Sequence, residues 1–179
     1  MAVVSRAGPR AYFSSMALLP AIGVPVLAFL LPAGAIFGPQ LGMGMVVALS
    51  LAALGVNFIL CYILARYVMR TLLQNILAKF GYRLPQIAKS DMANIAIIVR
   101  VTPGIPFFVQ NYLLGIAQVP FVQYTMVSCL FSWSYAVAFV LSGDALMHGK
   151  GKVAIMAGSL LIAAFAATHY ARKHYVKRK

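Results

Sequence analysis

The chain has 179 residues, of which 63% are hydrophobic and only 9% charged, with a mean hydropathy of +0.90. That apolar share lies far above the roughly 45–50% of a soluble globular domain and excludes one; the length fits a single polytopic membrane domain. Fifteen Lys and Arg stand against Asp91 and Asp144 for a net charge of +13. These basic residues lie between and after the apolar segments, so they read as topology signals and contacts for anionic headgroups, not as a nucleic-acid surface.

Met1 to Arg10 is a basic segment without the pattern of a cleavable leader, so the apolar run behind it is expected to stay in the protein. From Ala11 to Ala65 there are 55 residues without a charge. One membrane helix needs only about 20 residues. Pro20, Pro25, Pro32 and Pro39, with Gly23, Gly34, Gly38, Gly42 and Gly44, interrupt the run. Such density predicts broken or re-entrant helices, which a bilayer tolerates where protein buries them or a polar cavity adjoins them. Two topologies stay open: two crossings, which keep Arg6 and Arg10 inside, or a re-entrant hairpin and one span. Gly34, Gly38 and Gly42 recur every fourth residue, as do Gly44, Ala48 and Ala52, an interval that lets membrane helices approach closely.

Arg66 to Asp91 carries Arg66, Arg70, Lys79, Arg83 and Lys89. Met69, Leu72, Leu73, Ile76, Leu77 and Phe80 form one apolar helical face, and Gly81 is a natural stop. This segment is expected to end a span and continue as an amphipathic helix, on the membrane interface or on the protein's own face.

Met92 to Gly143 is 52 residues long, with Arg100 its only charge. The basic segment before it and the tail Arg172 to Lys179 are both expected on the cytoplasmic side, and Val153 to Ala171 fits one crossing. The stretch between must therefore cross an odd number of times. It is too long for one span and too short for three at about 20 residues each. A re-entrant hairpin with its tip at Thr102-Pro103-Gly104-Ile105-Pro106, then a span over Phe121 to Gly143, satisfies the parity. Asp144 to Lys152 is then an outside loop.

Arg100 lies among Ile97, Ile98, Val99 and Val101. At membrane depth an arginine costs about 2.5–3.5 kcal/mol on insertion scales, which calls for a partner or a task. It either snorkels to the interface or captures an anionic group such as a phosphate, for which a guanidinium is well shaped. Asn111 and Tyr112 on the return arm are expected to face the same cavity. Cys61 and Cys129 read as buried small hydrophobes, and no spacing suggests a metal or cofactor. His148, His169 and His174 lie at loop and tail positions; no paired carboxylates, HExxH or GxSxG are present, and no enzymatic activity is expected.

Three stretches form an ordered set: Pro32-Ala33-Gly34-Ala35-Ile36-Phe37-Gly38-Pro39-Gln40-Leu41-Gly42; Ala65-Arg66; and Arg100-Val101-Thr102-Pro103-Gly104-Ile105-Pro106 continuing through Asn111-Tyr112 to Gly115. The set resembles the DedA/VTT-domain (SNARE-associated) superfamily, in particular its TVP-like, YdjX-like bacterial branch, over roughly Val24 to Leu146. The resemblance implies an all-helical membrane fold with two re-entrant hairpins entering from opposite faces, each followed by a transmembrane helix, and a C-terminal transmembrane helix. The implied boundaries are a basic segment at 1–10 and a membrane domain at 11–152. Within that domain lie a hairpin at about 14–40, a span at 42–66, an amphipathic segment at 67–91, a hairpin at about 92–118 and a span at 121–143. A terminal helix at 153–171 and a tail at 172–179 follow.

The resemblance also implies a transporter, scramblase or flippase for a phospholipid or polyprenyl phosphate in a bacterial inner membrane. The implied transport residues are Arg100, Pro103, Pro106, Asn111, Tyr112 and Gly115. Pro32, Gly34, Gly38, Pro39 and Gly42 would shape the first hairpin and its cavity, and Arg66 the conduit mouth. Two positions depart from the pattern: Pro106 stands where DedA proteins proper carry a second arginine, and no acidic residue occurs between Met1 and Ser90. The expected partners are membrane lipids with anionic headgroups or a lipid phosphate; nucleic acid is not expected, and a homo-oligomer stays open. A transporter of a small anion and a non-transporting membrane scaffold are the competing readings.

Overall fold

The computed structural model describes residues 8–79, 91–102 and 105–147, and every regular element among them is helical. In chain order these are α1 (Gly8–Leu18), a 3-10 turn (Leu19–Ile22), α2 (Leu27–Leu41) and α3 (Met43–Ile63). A π-helical turn (Leu64–Met69), α4 (Arg70–Lys79), α5 (Met92–Val101), α6 (Phe107–Ile116) and α7 (Phe121–Met147) follow. Among the described residues two helices are long and apolar enough to cross a membrane: the continuous rod Met43–Lys79 and Phe121–Ala145. Pro103, Gly104, Phe80, Gly81, the three histidines, the expected terminal span and the basic tail lie outside the described residues.

Two breaks stand out among the described residues. At the first break Gly23 adopts φ +103, a left-handed conformation that closes the 3-10 turn, and its N–H bonds the Pro20 carbonyl at 3.2 Å. Pro25 lacks a donor and precedes α2. The expectation that Pro32 interrupts the run is corrected: Pro32 and Pro39 both lie inside α2, which runs unbroken past them. Packed neighbours make this tolerable, because each proline removes only one backbone bond. α2 ends instead at Gly42, whose φ of +80 lets α3 begin one residue later. The second break falls between Val101 and Phe107, within the Thr102–Pro106 cluster. Thr102 is extended, as a residue before proline must be, and Pro106 is extended ahead of α6. α5 and α6 have 10 residues each, about 15 Å long at 1.5 Å per residue, half a hydrocarbon core.

Glycine fixes the closest helix contact. At Gly34 an added Cβ would overlap the Val140 carbonyl, and at Gly143 it would overlap the Leu31 carbonyl, so α2 and α7 cross backbone to backbone. Beside this crossing, Tyr12 and Phe13 of α1 both pack tilted against Phe37 of α2, with centroids 4.9 and 5.7 Å apart. The Tyr12 hydroxyl donates to the Phe29 carbonyl at 2.5 Å. Asn57 of α3, fully buried, donates to the Ala17 carbonyl at 2.8 Å and ties α1 to the first long helix. The Tyr12 and Asn57 donors are thus matched, as an apolar interior requires.

α4 differs from the rest. None of its residues is buried, and Leu72 and Ile76 of the expected apolar stripe are about half exposed.

Candidate functional site

Arg100 projects from the last turn of α5, on the face that buries Ala96 and Val101 against α6 and α7. The break at Thr102 folds α6 back beside α5, so that Gln110 and Asn111 meet the guanidinium. Its Nη2 donates to Asn111 Oδ1 at 2.5 Å and to Ser128 Oγ of α7 at 2.6 Å. Nη1 donates to Gln110 Oε1 at 3.3 Å, and Gln110 is itself held by a bond from Nε2 to the Ile105 carbonyl at 3.0 Å.

Three rings surround the same group. The guanidinium carbon lies 5.4 Å from the Phe58 centroid, 5.8 Å from Phe107 and 5.9 Å from Tyr124. The Tyr124 hydroxyl donates to the Phe58 carbonyl at 3.0 Å, which fixes its ring. Aromatic faces attract a desolvated cation. Arg100 is 7% exposed, and its hydrogen-bond partners among the described residues are all neutral. The positive charge is therefore held and oriented at this point, but no bonded carboxylate cancels it. Two buried donors are unmatched beside it, Arg100 Nε and Asn111 Nδ2.

A cavity of about 210 Å³ adjoins the guanidinium. Val26, Leu27 and Leu30 from the first break and α2, with Leu54 of α3, form one wall. Ile105, Phe107 and Gln110 at the second break form another, and Phe131, Ser132, Tyr135 and Phe139 of α7 close it. The two breaks touch: the Tyr112 hydroxyl donates to the Ala21 carbonyl at 2.7 Å, and a Cβ at Gly23 would meet the Phe108 ring at 3.6 Å. The cavity thus lies where two interrupted helices meet, with one cation in an apolar and aromatic wall.

The residues singled out in the sequence fall into separate places. Arg100 and Asn111 are bonded to each other, and Pro106 opens α6. Tyr112 turns away from Arg100 to the first break. Gly115 lies against the π-helical turn, where an added Cβ would overlap that of Ala65. Arg66 does not line the cavity; it bonds the Tyr62 hydroxyl and lies 5.5 Å from that ring. Tyr62 in turn donates to the Val119 carbonyl at 2.8 Å, and Arg70 donates to the Ile116 carbonyl. Arg70 thus caps the C-terminus of α6, where the helix dipole favours a cation. Of the first-segment set, Pro32, Gly34, Gly38 and Pro39 lie in α2 and Gly42 at its end. Gly38 faces Met43 and the Asp144 carboxylate, and none of the five lines the cavity.

Ser128, Gln110, Phe58, Tyr124, Ser132 and Tyr135 were not singled out. A signal for four of them exists: Tyr124, Ser128, Ser132 and Tyr135 are polar-tipped residues spaced 4, 4 and 3 apart in an otherwise apolar span, one helical stripe. Cys61 donates to Asn57 Oδ1 at 3.5 Å, and both cysteines are free thiols. Among the described residues no group of three His, Cys, Asp or Glu comes together as a metal site.

The family model of the VTT domain matches residues 24–144. The chain belongs to the DedA/VTT family. The VTT match begins inside the first break and ends at Asp144, so the second break, the rod Met43–Lys79, Arg100 and all but the last three residues of α7 are within it. VTT-domain proteins are membrane-associated and often linked to transport or lipid flipping. Neither a curated protein nor a solved structure matches the chain.

Proposed function

We propose that this VTT-domain protein moves a phospholipid or a polyprenyl phosphate between the leaflets of a bacterial inner membrane, without enzymatic chemistry, and that Arg100 receives the phosphate. The observation that carries the reading is a buried guanidinium, oriented by neutral partners only, at the edge of a cavity between two broken helices. A fixed cation with no bonded counter-charge is suited to an anion that arrives and leaves. In this reading α5–α6 and the α1–α2 pair are re-entrant hairpins. The 10-residue arms of α5 and α6 support it, since each is about half the length needed to cross. The partners are lipids with an anionic headgroup.

The cavity volume of about 210 Å³ suits a headgroup, with the acyl chains left in the bilayer. The same size favours a second reading, a transporter of a small anion. Vesicles reconstituted with the protein separate the two. Fluorescent phosphatidylglycerol in the inner leaflet becomes accessible to an external quencher if lipid moves, whereas a small-anion transporter leaves it protected and exchanges entrapped phosphate. Transbilayer lipid movement that is unchanged in Arg100→Ala would overturn the assignment of Arg100.

A further inference from the structure

A guanidinium offers two two-pronged faces, Nη1 with Nη2 and Nε with Nη2, and each uses one of the two Nη2 hydrogens. Here both Nη2 hydrogens are taken, one by Asn111 Oδ1 and one by Ser128 Oγ. Nε has no partner, and Nη1 has one long bond to Gln110. A phosphate therefore cannot engage either face in two-pronged fashion until Asn111 or Ser128 lets go.

The two differ in how readily they can. Asn111 is fully buried on α6, and releasing Arg100 would strip its Oδ1 of the donor it has, beside an Nδ2 that already lacks a partner. Ser128 has an alternative one χ1 rotation away. Ser50, Ser134 and Ser142 in the two long helices each donate to the carbonyl four residues back, at 2.8, 2.7 and 2.7 Å. The carbonyl in that position for Ser128 is that of Tyr124, on the same unbroken helix. Back-bonding of this kind costs a helix little.

We propose that Ser128 is a latch on the anion site: its hydroxyl occupies the Arg100 prong that a phosphate oxyanion needs, and binding proceeds by swinging Ser128 off Arg100. The proposal rests on the reading of Arg100 as the phosphate receptor. It makes Ser128 a positioning residue that competes with the ligand, so that removing its hydroxyl strengthens binding, opposite to the effect of removing a ligand-contacting group.

The test uses the full chain in detergent, with thermal stabilisation as the readout. One arm titrates inorganic phosphate and the other a short-chain phosphatidic acid; the arm that stabilises the wild type tells a free anion from a lipid headgroup. Ser128→Ala removes the bond that competes with the ligand and is expected to lower the half-maximal concentration about tenfold. Ser128→Asp places a carboxylate on Arg100 and is expected to melt higher without ligand and to bind at least about tenfold more weakly. Unchanged or weaker binding in Ser128→Ala overturns the latch, and that variant alone decides if Ser128→Asp does not insert. Arg100→Ala separates the two levels. Stabilisation that survives in it, or a wild type that neither probe stabilises, removes the phosphate role and the latch together. Stabilisation lost in both Arg100→Ala and Ser128→Ala removes only the latch.

Discussion

Lysine at position 100 would keep the charge and lose the plane. Arg100 reaches Gln110, Asn111 and Ser128 with two nitrogens of one flat group and presents its face to three rings. An ammonium cannot span that set, so Arg100→Lys is expected to lose about tenfold or more in transport, and Arg100→Ala to lose more, with both variants still in the membrane. Transport and expression measured side by side check this; a fully active lysine variant would instead indicate that charge alone is needed. Asn111→Leu removes the acceptor from a buried cation and is expected to destabilise the protein by roughly 1–3 kcal/mol in detergent unfolding. Arg100 is legible in the sequence because a charge inside an apolar run stands out whatever the fold. Ser128 is not, because a serine in a membrane helix ordinarily back-bonds its own turn, and only the packing of α5 on α7 reveals the other use. Tyr112 is adjacent to Asn111 in sequence but about 100° away around α6, so the two serve different neighbours.

Among the elements, the contact of α2 with α7 is the least forgiving. Gly143→Ala would drive a methyl into the Leu31 carbonyl, and Gly34→Ala one into the Val140 carbonyl. Backbone cannot yield as a side chain does, so each is expected to cost at least about 1–3 kcal/mol. Gly44→Ala is the control: nothing lies within 4 Å of its added Cβ, and alanine gains roughly 0.8–1.0 kcal/mol of helix propensity. Thermal unfolding in detergent should rank Gly44→Ala at or above the wild type and Gly143→Ala well below it. Sequence spacing locates the second break within the right five residues, since Thr-Pro-Gly-Ile-Pro leaves a helix no way through. It does not locate the first. Four prolines compete there, and only the left-handed Gly23 and the neighbours around α2 decide which of them break the chain.

At the scale of the whole molecule, the charge distribution makes a topology that can be tested directly. In a background without Cys61 and Cys129, a cysteine at position 74 on exposed α4 is expected to react only from the cytoplasmic side, and one at position 150 only from outside. A cysteine at position 33, buried in α2, is expected to resist a membrane-impermeant reagent from either side. Position 150 reacting from the cytoplasm would reverse the scheme.

The rod Met43–Lys79 has 37 residues, about 55 Å at 1.5 Å per residue, against a hydrocarbon core of roughly 30 Å. Its π-helical turn and the first residue of α4 grip the end of α6 through Ala65 on Gly115 and Arg70 on the Ile116 carbonyl. Gly115 is one helical turn past Asn111, which holds Arg100. The exposed end of the rod is therefore tied to the Arg100 guanidinium through one unbroken helix, one glycine contact and one turn of α6, so the most accessible and the most buried cations of this region share a single packed chain of contacts.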